Sequence, residues 1–582
     1  MYLKKTPTKS GRVSLSAVQG YRDESGRNRQ RTVETFGFVD ELEKEFDDPV
    51  AHFREVVAAM NALRLAEEAP AASEIHPRQR VDKRESGRLR RHVGDAVACW
   101  WLDALGVETA VRNGMRGRRS AYDPNAVLRL LVCERLLEPG SKLAAWERRD
   151  RHFFRAELTD DDVYRALDEL DRLSDRIVGA CNRSIARNSG RDESLVYYDV
   201  TNYFFECDPD DGGLRRKGVS KEHRPNPIVQ MGLLQDSEAI PIGYDLFAGN
   251  TNDCETLLPV LKRRKERGLG RVVVVADKGM NCSDNIAGIV AGGDGFVFSQ
   301  SIRGTRSTSE LREWALSEEG YEASPDGEFK VKSSQRYKTV HLKDVDAFDG
   351  EARDVDVEVK VVAMWSRKYA ERARHEREKV LEKSRQLVAN PGAYTRATHY
   401  GAAQYVKGVT FDRKTGEVLE EAGTRPRIDQ EAVDAAARLD GYYLVVTSET
   451  DWEDSRILDA YRELWRIEES FRVTKTGGLE SRPVWVWTES HIRAHFLTCY
   501  LALLIVRLSQ RALSSHPSAQ ELLADMRALD CSYAEDGWWL FDHRTDLTDE
   551  IFALAGEEAP RKWMRTADVR ALFKKGKKIR WR

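Results

Sequence analysis

Two aspartates stand where a carboxylate is costly to bury. Asp199 closes the apolar run LVYYDV (195–200), and Asp277 closes RVVVVAD (271–277). A buried charge needs a compensating partner, and two converging carboxylates repel unless a cation lies between them. Hard oxygen donors of this kind suit Mg²⁺, which binds through one or two carboxylates together with water and phosphate oxygens. No nearby histidine or cysteine competes for a softer metal. A third acid lies in YRELWRIEESFRVTK (461–475). On one continuous helix, steps of about 100° put Glu468, Arg472 and Lys475 within about 40° of Tyr461. Leu464, Ile467 and Phe471 form the adjoining stripe, free to pack on a sheet. Acid, base and aromatic on one stripe is not the pattern of an ordinary amphipathic helix. Such a set can hold a divalent ion beside a phosphate.

The elements that must position these groups follow in order. LVYYDV, IVQMGLLQ (228–235) and AIPIGYDLFAG (239–249) are three strands in a meander. Asn252 and Glu255 form a capping box that opens a helix ending near Gly268. RVVVVAD is a buried strand, a short helix covers 284–291, and GFVFSQSI (295–302) is the next strand. Strand, strand, strand, helix, strand, helix, strand resembles the order of a ribonuclease H-like domain. There the first strand and the one after the first helix lie side by side, so Asp199 and Asp277 become neighbours. Residues 303–450 interrupt the pattern with strands (VEVKVVAMWS, QYVKGVTFD, YYLVVTSE) and one charged helix, about 367–389. Helices over about 454–475 and 488–512 follow.

A chain of 582 residues exceeds one core. The expected class is α/β, a ribonuclease H-like core with a mixed five-stranded sheet, interrupted by a β-rich insertion. The expected division is 1–66, a β-meander and helix; 67–93, a linker; 94–190, a helical DNA-binding region; 191–302 and 451–515, the two parts of the core; 303–450, the insertion; and 516–582, a C-terminal region. The net charge of −3 gives no global basic field, so contacts to a polyanion must be local. Lys4, Lys5, Lys9, Arg12, Arg22, Arg27, Arg29 and Arg31, against Asp23 and Glu24, are either a phosphate-contacting patch or a solvated hairpin. Eight cysteines without a C-x-x-C pair suit a reducing cytosol rather than zinc or disulfides. The N-terminus has no secretory signal, and FLTCYLALLIV (496–506) is too short to span a bilayer, so a buried helix and no membrane are expected. His223, His491 and His495 lack an H-E-x-x-H pattern and read as polar residues. The tail KKGKKIRWR reads as basic and flexible.

The run Y-x6-E-x6-K, following D-V-T and A-D-K-G, resembles the signature of DDE transposases of bacterial insertion sequences, in the branch with a β-rich insertion between the second Asp and the Glu. SKEHRPNPIVQMGLL (220–234), PIGYDLFAGNTND (241–253), ELWRIEESFRVTK (463–475) and ESHIRAHF (489–496) carry the likeness, as does the N-terminal GRVSLSAVQGYRDESGRNRQRTVETFGFVDELEKEF. The sequence departs from the signature at Leu464, where the family often has Arg; Arg462 or Arg466 could stand in. The resemblance implies that Asp199, Asp277 and Glu468 hold two Mg²⁺ ions, with Mn²⁺ as a substitute. It implies cleavage at transposon ends and joining of the 3′-hydroxyl to target DNA, by a cytoplasmic, nucleoid-associated homodimer on terminal inverted repeats. Tyr461 and Lys475 would contact phosphate near the cut, with Arg472 and Arg466 also on DNA. Tyr443, with Tyr442 second, would stack a flipped base, and Thr201 and Asn281 would orient neighbouring groups. Two rivals share the fold: a catalytically inactive DNA-binding descendant, and a nuclease without strand transfer.

Overall fold

The computed structural model describes residues 1–8, 11–22, 28–68, 80, 89–154, 157–207, 210–222, 224–266, 270–303, 308–342, 353–390, 401–408, 410–411, 418–419, 426–574 and 579–581. Two compact units divide the chain, Met1–Lys83 and Arg84–Arg582. In the first, β1 (Tyr2–Pro7), β2 (Val13–Arg22) and β3 (Asn28–Phe38) form an antiparallel meander. Two helices follow where one was expected over 40–66, α1 (Val39–Leu42) and α2 (Pro49–Glu68). Leu15, Ala17 and Val57 are buried, and Phe36 stacks on Phe53 at 4.4 Å. Of the basic residues in the expected patch, Arg12 is committed to Asp40 and Glu41, and Arg31 bonds Gln19. Lys9, Arg27, Asp23 and Glu24 lie outside the described residues.

The second unit opens with β4 (Arg90–His92), inside the stretch read as a linker, then a helical layer: α3 (Asp95–Ala104), α4 (Val107–Gly114), α5 (Pro124–Leu137), α6 (Lys142–Glu147) and α7 (Asp160–Asn188). Thr159 and Asp162 cap α7 reciprocally. Next come β5 (Leu195–Phe204), β6 (Ile228–Asp236), β7 (Pro241–Ala248), α8 (Leu257–Glu266), β8 (Val273–Ala276), α9 (Ser283–Ala291) and β9 (Gly295–Gln300). The insertion supplies α10 (Ser309–Leu316), β10 (Glu322–Ala323), β11 (Phe329–Leu342), β12 (Arg353–Ser366), α11 (Arg367–Ala389), the short strands β13 (Val406–Lys407), β14 (Thr410–Phe411), β15 (Val418–Leu419) and β16 (Arg427–Ile428), α12 (Gln430–Ala437) and β17 (Tyr442–Thr447). The chain closes with α13 (Asp454–Arg462), α14 (Trp465–Lys475), α15 (Glu489–Ala512), α16 (Ala519–Ala528), β18 (Asp530–Tyr533), β19 (Trp538–Phe541), α17 (Asp546–Leu554), β20 (Trp563–Arg565) and α18 (Thr566–Leu572).

Where five strands were expected, one sheet of nine forms, in the order β10-β11-β12-β17-β9-β8-β5-β6-β7. Residues 322–447 account for the difference, because β17 pairs antiparallel with β9 and brings β12, β11 and β10 with it. Strands β5, β8 and β9 are mutually parallel, while β6 and β7 fold back antiparallel. Both faces of the centre are covered, which is why β8 is a continuous valine run rather than an alternating one. Val196, Tyr198 and Val200 face α8 and α9 in one core; Tyr197 and Tyr203 face the helices on the other side. Tyr198 reaches across to Thr256 at 2.8 Å, and only glycine leaves room, since a Cβ at Gly232 would lie 2.3 Å from the Tyr198 hydroxyl.

The helical layer shares its core with α15, whose Phe496–Val506 stretch is wholly buried. That helix is the one described segment long and apolar enough to cross a membrane, and it lies inside the fold. The C-terminal region makes a second sheet, β20-β19-β18-β4. The tail is not simply solvated: Ile579 is buried, Arg580 donates its amide to Leu554 at 2.8 Å, and Trp581 packs edge-on against Trp101 at 5.1 Å. Residues 575–578 lie outside the described set.

Candidate active site

The first aspartate lies in the middle of its strand, not at the end: β5 continues four residues past Val200. Register does the positioning. Leu195, Val196 and Tyr197 pair with Val273, Val274 and Val275, and two further steps bring Asp199 level with Asp277, just past the end of β8. Alternation puts both on the face of Tyr197 and Val275, toward α13 and α14. Tyr197 fixes that face by donating to the Ala460 carbonyl at 3.1 Å. Asp277 is exposed and turns back on its own loop, its carboxylate accepting the Gly279 amide at 3.1 Å. Glu468, in the first turn of α14, is exposed and makes no ion pair among the described residues.

The three acids feel one another. Burial pushes Asp199 up to about 6; Lys221 and the Val200 amide oppose this, and the charges of Asp277 and Glu468 add to it. Burial likewise raises Tyr461 to about 12, opposed by a hydrogen bond with Ser299 and helped by Asp277 and Glu468. The acids are nonetheless more widely spaced than a closed metal cage. Among the described residues the one trio with donor atoms all within 4.8 Å is His92, Glu134 and Glu138. That trio is already neutralised: Arg148 bonds both glutamates, Arg151 bonds Glu138 at 2.5 Å, and His152, held at about 9 by Asp95 and Glu134 against its burial, bridges those two acids.

The helix expected to carry Tyr461 and Glu468 together is broken. At Glu463 and Leu464 the backbone tightens, Ile467 bonding Leu464 and Arg466 bonding Glu463, which separates α13 from α14. Leu464, at the position where arginine was looked for, is 7 % exposed and belongs to the core. Tyr461 still borders the acids, its ring 5.3 Å from Tyr443, which in turn stacks on Tyr369 at 6.5 Å. Tyr442 is turned to the other side of β17, near Tyr321 and Lys330. Lys475 donates to Thr201 at 2.7 Å and lies 3.8 Å from Glu222; burial lowers it to about 8, with Lys221 adding and Asp199 opposing. Arg472 is 72 % exposed with only a loose 4.0 Å approach to Glu469. Arg466 is drawn away from the acids, pairing with Glu463 and donating to the Ser237 carbonyl at 3.0 Å.

Asn281 bonds the Ser299 carbonyl and Gln300. His495 is a core residue rather than a surface one, between Lys142, 3.0 Å away, and the Ser481 carbonyl. His491 lies 3.5 Å from Asp168, and His223 is outside the described residues. Sequence reasoning missed Lys221, whose amine bonds the Val200 carbonyl at 2.5 Å, and Glu222, which joins Lys475 to Arg482. Their polar loop has no periodicity to mark them. A cavity of about 410 Å³ among Cys99, Phe153 and Phe154 holds none of the three acids.

Residues 226–505, from the start of β6 through most of α15 and so including Asp277 and Glu468, match the family model of the transposase DDE domain. Residues 3–71 match the N-terminal domain of IS1634 family transposases. The chain belongs to the DDE transposases of insertion sequences. Together the two models cover more than half of the transposase. No curated protein sequence matches it. Membership makes DNA transposition its role, DNA its partner and a divalent metal its requirement.

Proposed function

We propose that this transposase cleaves transposon ends and joins the freed 3′-hydroxyls to target DNA, with Asp199, Asp277 and Glu468 holding two Mg²⁺ ions. The observation that carries the reading is the register that sets Asp199 level with Asp277 on adjoining parallel strands, with Glu468 near enough for its charge to raise Asp199. The order β7-β6-β5-β8-β9, three antiparallel strands followed by two parallel to β5, supports a ribonuclease H-like core.

The residues fit the ions. All three donors are carboxylates, Asp199 is raised by burial and by its like-charged neighbours, and Glu468 has no protein cation of its own among the described residues. Oxygen-only donors favour Mg²⁺ over softer metals. When bound, such ions activate a water or 3′-hydroxyl and stabilise the leaving oxygen. The chain's own groups do the rest. Asp277 and Glu468 are exposed and free to close on the substrate. Lys475, steadied by Thr201 and Glu222, offers charge to a phosphate beside Asp199. Arg472 projects into solvent one turn beyond Glu468. Tyr443, backed by Tyr461 and Tyr369, offers a face to an unpaired base, where stacking contributes about 1–3 kcal/mol. The enzyme would act on paired ends as a homodimer in the cytoplasm.

Asp277→Ala and Glu468→Ala are expected to abolish cleavage of terminal-repeat DNA in Mg²⁺ while end binding persists. Near wild-type cutting by either variant removes that residue from the metal site. Cleavage by the native enzyme without joining on addition of target DNA would identify a nuclease, and binding without cleavage an inactive descendant.

A further inference from the structure

Beside Asp277 lies a cleft of about 330 Å³, lined by Lys278, Asn281, Ser283, Gln300, Ser301 and Lys338. Lys338 reaches it from β11, in the insertion. Its amine donates to the Asn281 side-chain oxygen at 2.8 Å and forms no ion pair among the described residues. Burial lowers it to about 8. Its neighbour on the same strand shows what a satisfied lysine looks like: Lys332 donates to the carbonyls of Trp314, Ser317 and Glu319. A Lys ammonium carries three donors, and Lys338 uses one. The Asn281 amide nitrogen donates to the Ser299 carbonyl and to Gln300 at 2.9 and 3.0 Å. Those two bonds fix the amide so that its oxygen faces Lys338, making Asn281 a positioning residue.

A desolvated ammonium without a counter-ion is costly, and an anion entering the cleft would complete it. The wall of the cleft begins at Lys278, the residue after Asp277, so an anion held there would lie near the cut. We propose that this cleft binds a backbone phosphate of the DNA strand next to the scissile phosphodiester, with Lys338 and Lys278 as its cations. The assignment rests on the DNA-cleaving reading above and extends the site to a residue of the insertion, 61 positions after Asp277.

The test measures end binding in Ca²⁺ on a series of oligonucleotides, each with one neutral methylphosphonate near the cut. One position is expected to weaken binding by the native enzyme about tenfold, the order of a charge-assisted hydrogen bond. Lys338→Gln should lose the same factor on unmodified DNA and nothing further at that position. Its salt slope should flatten by about 0.9, and Lys338→Arg should restore binding. If Lys338→Gln fails to fold, Lys278→Gln is read in the same way. Equal methylphosphonate penalties in native and variant proteins at every position overturn the assignment. A native enzyme that binds no DNA would instead defeat the broader reading.

Discussion

Replacing Asp199 by asparagine should inactivate the enzyme and stabilise the fold. The carboxyl titrates near pH 6 in the folded chain, against 3.8 for an ordinary aspartate. Between those values the folded state holds a proton that the unfolded state has released. Stability therefore falls as pH rises through the window, and above pH 6 the whole penalty stands. At about 1.4 kcal/mol per pH unit the shift corresponds to about 3 kcal/mol, an upper figure because the side chain keeps some contact with water. Asp199→Asn removes the ionisable group and keeps the shape. The assay is chemical denaturation of both proteins without divalent metal, at pH 4 and pH 7.5. The variant should be more stable by about 1.5–3 kcal/mol at pH 7.5 and indistinguishable at pH 4. Mg²⁺ should narrow the gap by stabilising only the native protein, as any ligand of the folded state does. A variant less stable than the native protein at pH 7.5 would refute the reasoning, since Asp199 would then be held by favourable partners rather than by burial and repulsion.

Lys475→Ala should weaken end binding and reduce its salt slope by about 0.9; an unchanged slope would leave Lys475 with only its bond to Thr201. Tyr443→Ala should cost about 1–3 kcal/mol in binding ends that carry an unpaired base and little on intact duplex, which a fluorescence titration would separate. Trp581→Ala should lower stability by about 2–3 kcal/mol through loss of the Trp101 contact, read as a shift in the denaturation midpoint with end binding retained.

The nearness of Asp199 and Asp277 was legible, because element order alone sets β5 beside β8. That Glu468 lies close enough for its charge to reach Asp199 was legible from its place on the helix with Arg472 and Lys475. The break at Glu463 and Leu464 was not, because Leu464 continues the apolar stripe and local periodicity reads straight through it. The sheet's extension escaped for another reason. Pairing of β17 with β9 joins residues about 150 positions apart, and nothing local records a partner that distant. Lys338 was hidden within SSQRYKTV, which reads as an exposed alternating strand; that it forms no ion pair among the described residues is a fact of three dimensions. The C-terminal sheet was likewise invisible, its short strands completed by Arg90–His92 from the other end of the unit.

That last pairing orders events during synthesis. The Val93 amide bonds the Leu529 carbonyl, Arg90 bonds Asp530 across 440 residues, and the Trp100 indole donates to Leu572 at 2.6 Å. A ribosome adding about 5–20 residues per second makes the tryptophan-bearing helix α3 roughly 20 to 90 seconds before Leu529 and Leu572. Throughout that interval Trp100 and Trp101 lack the Phe552, Leu572 and Trp581 contacts that complete their burial, leaving a binding surface for chaperones and a liability for aggregation.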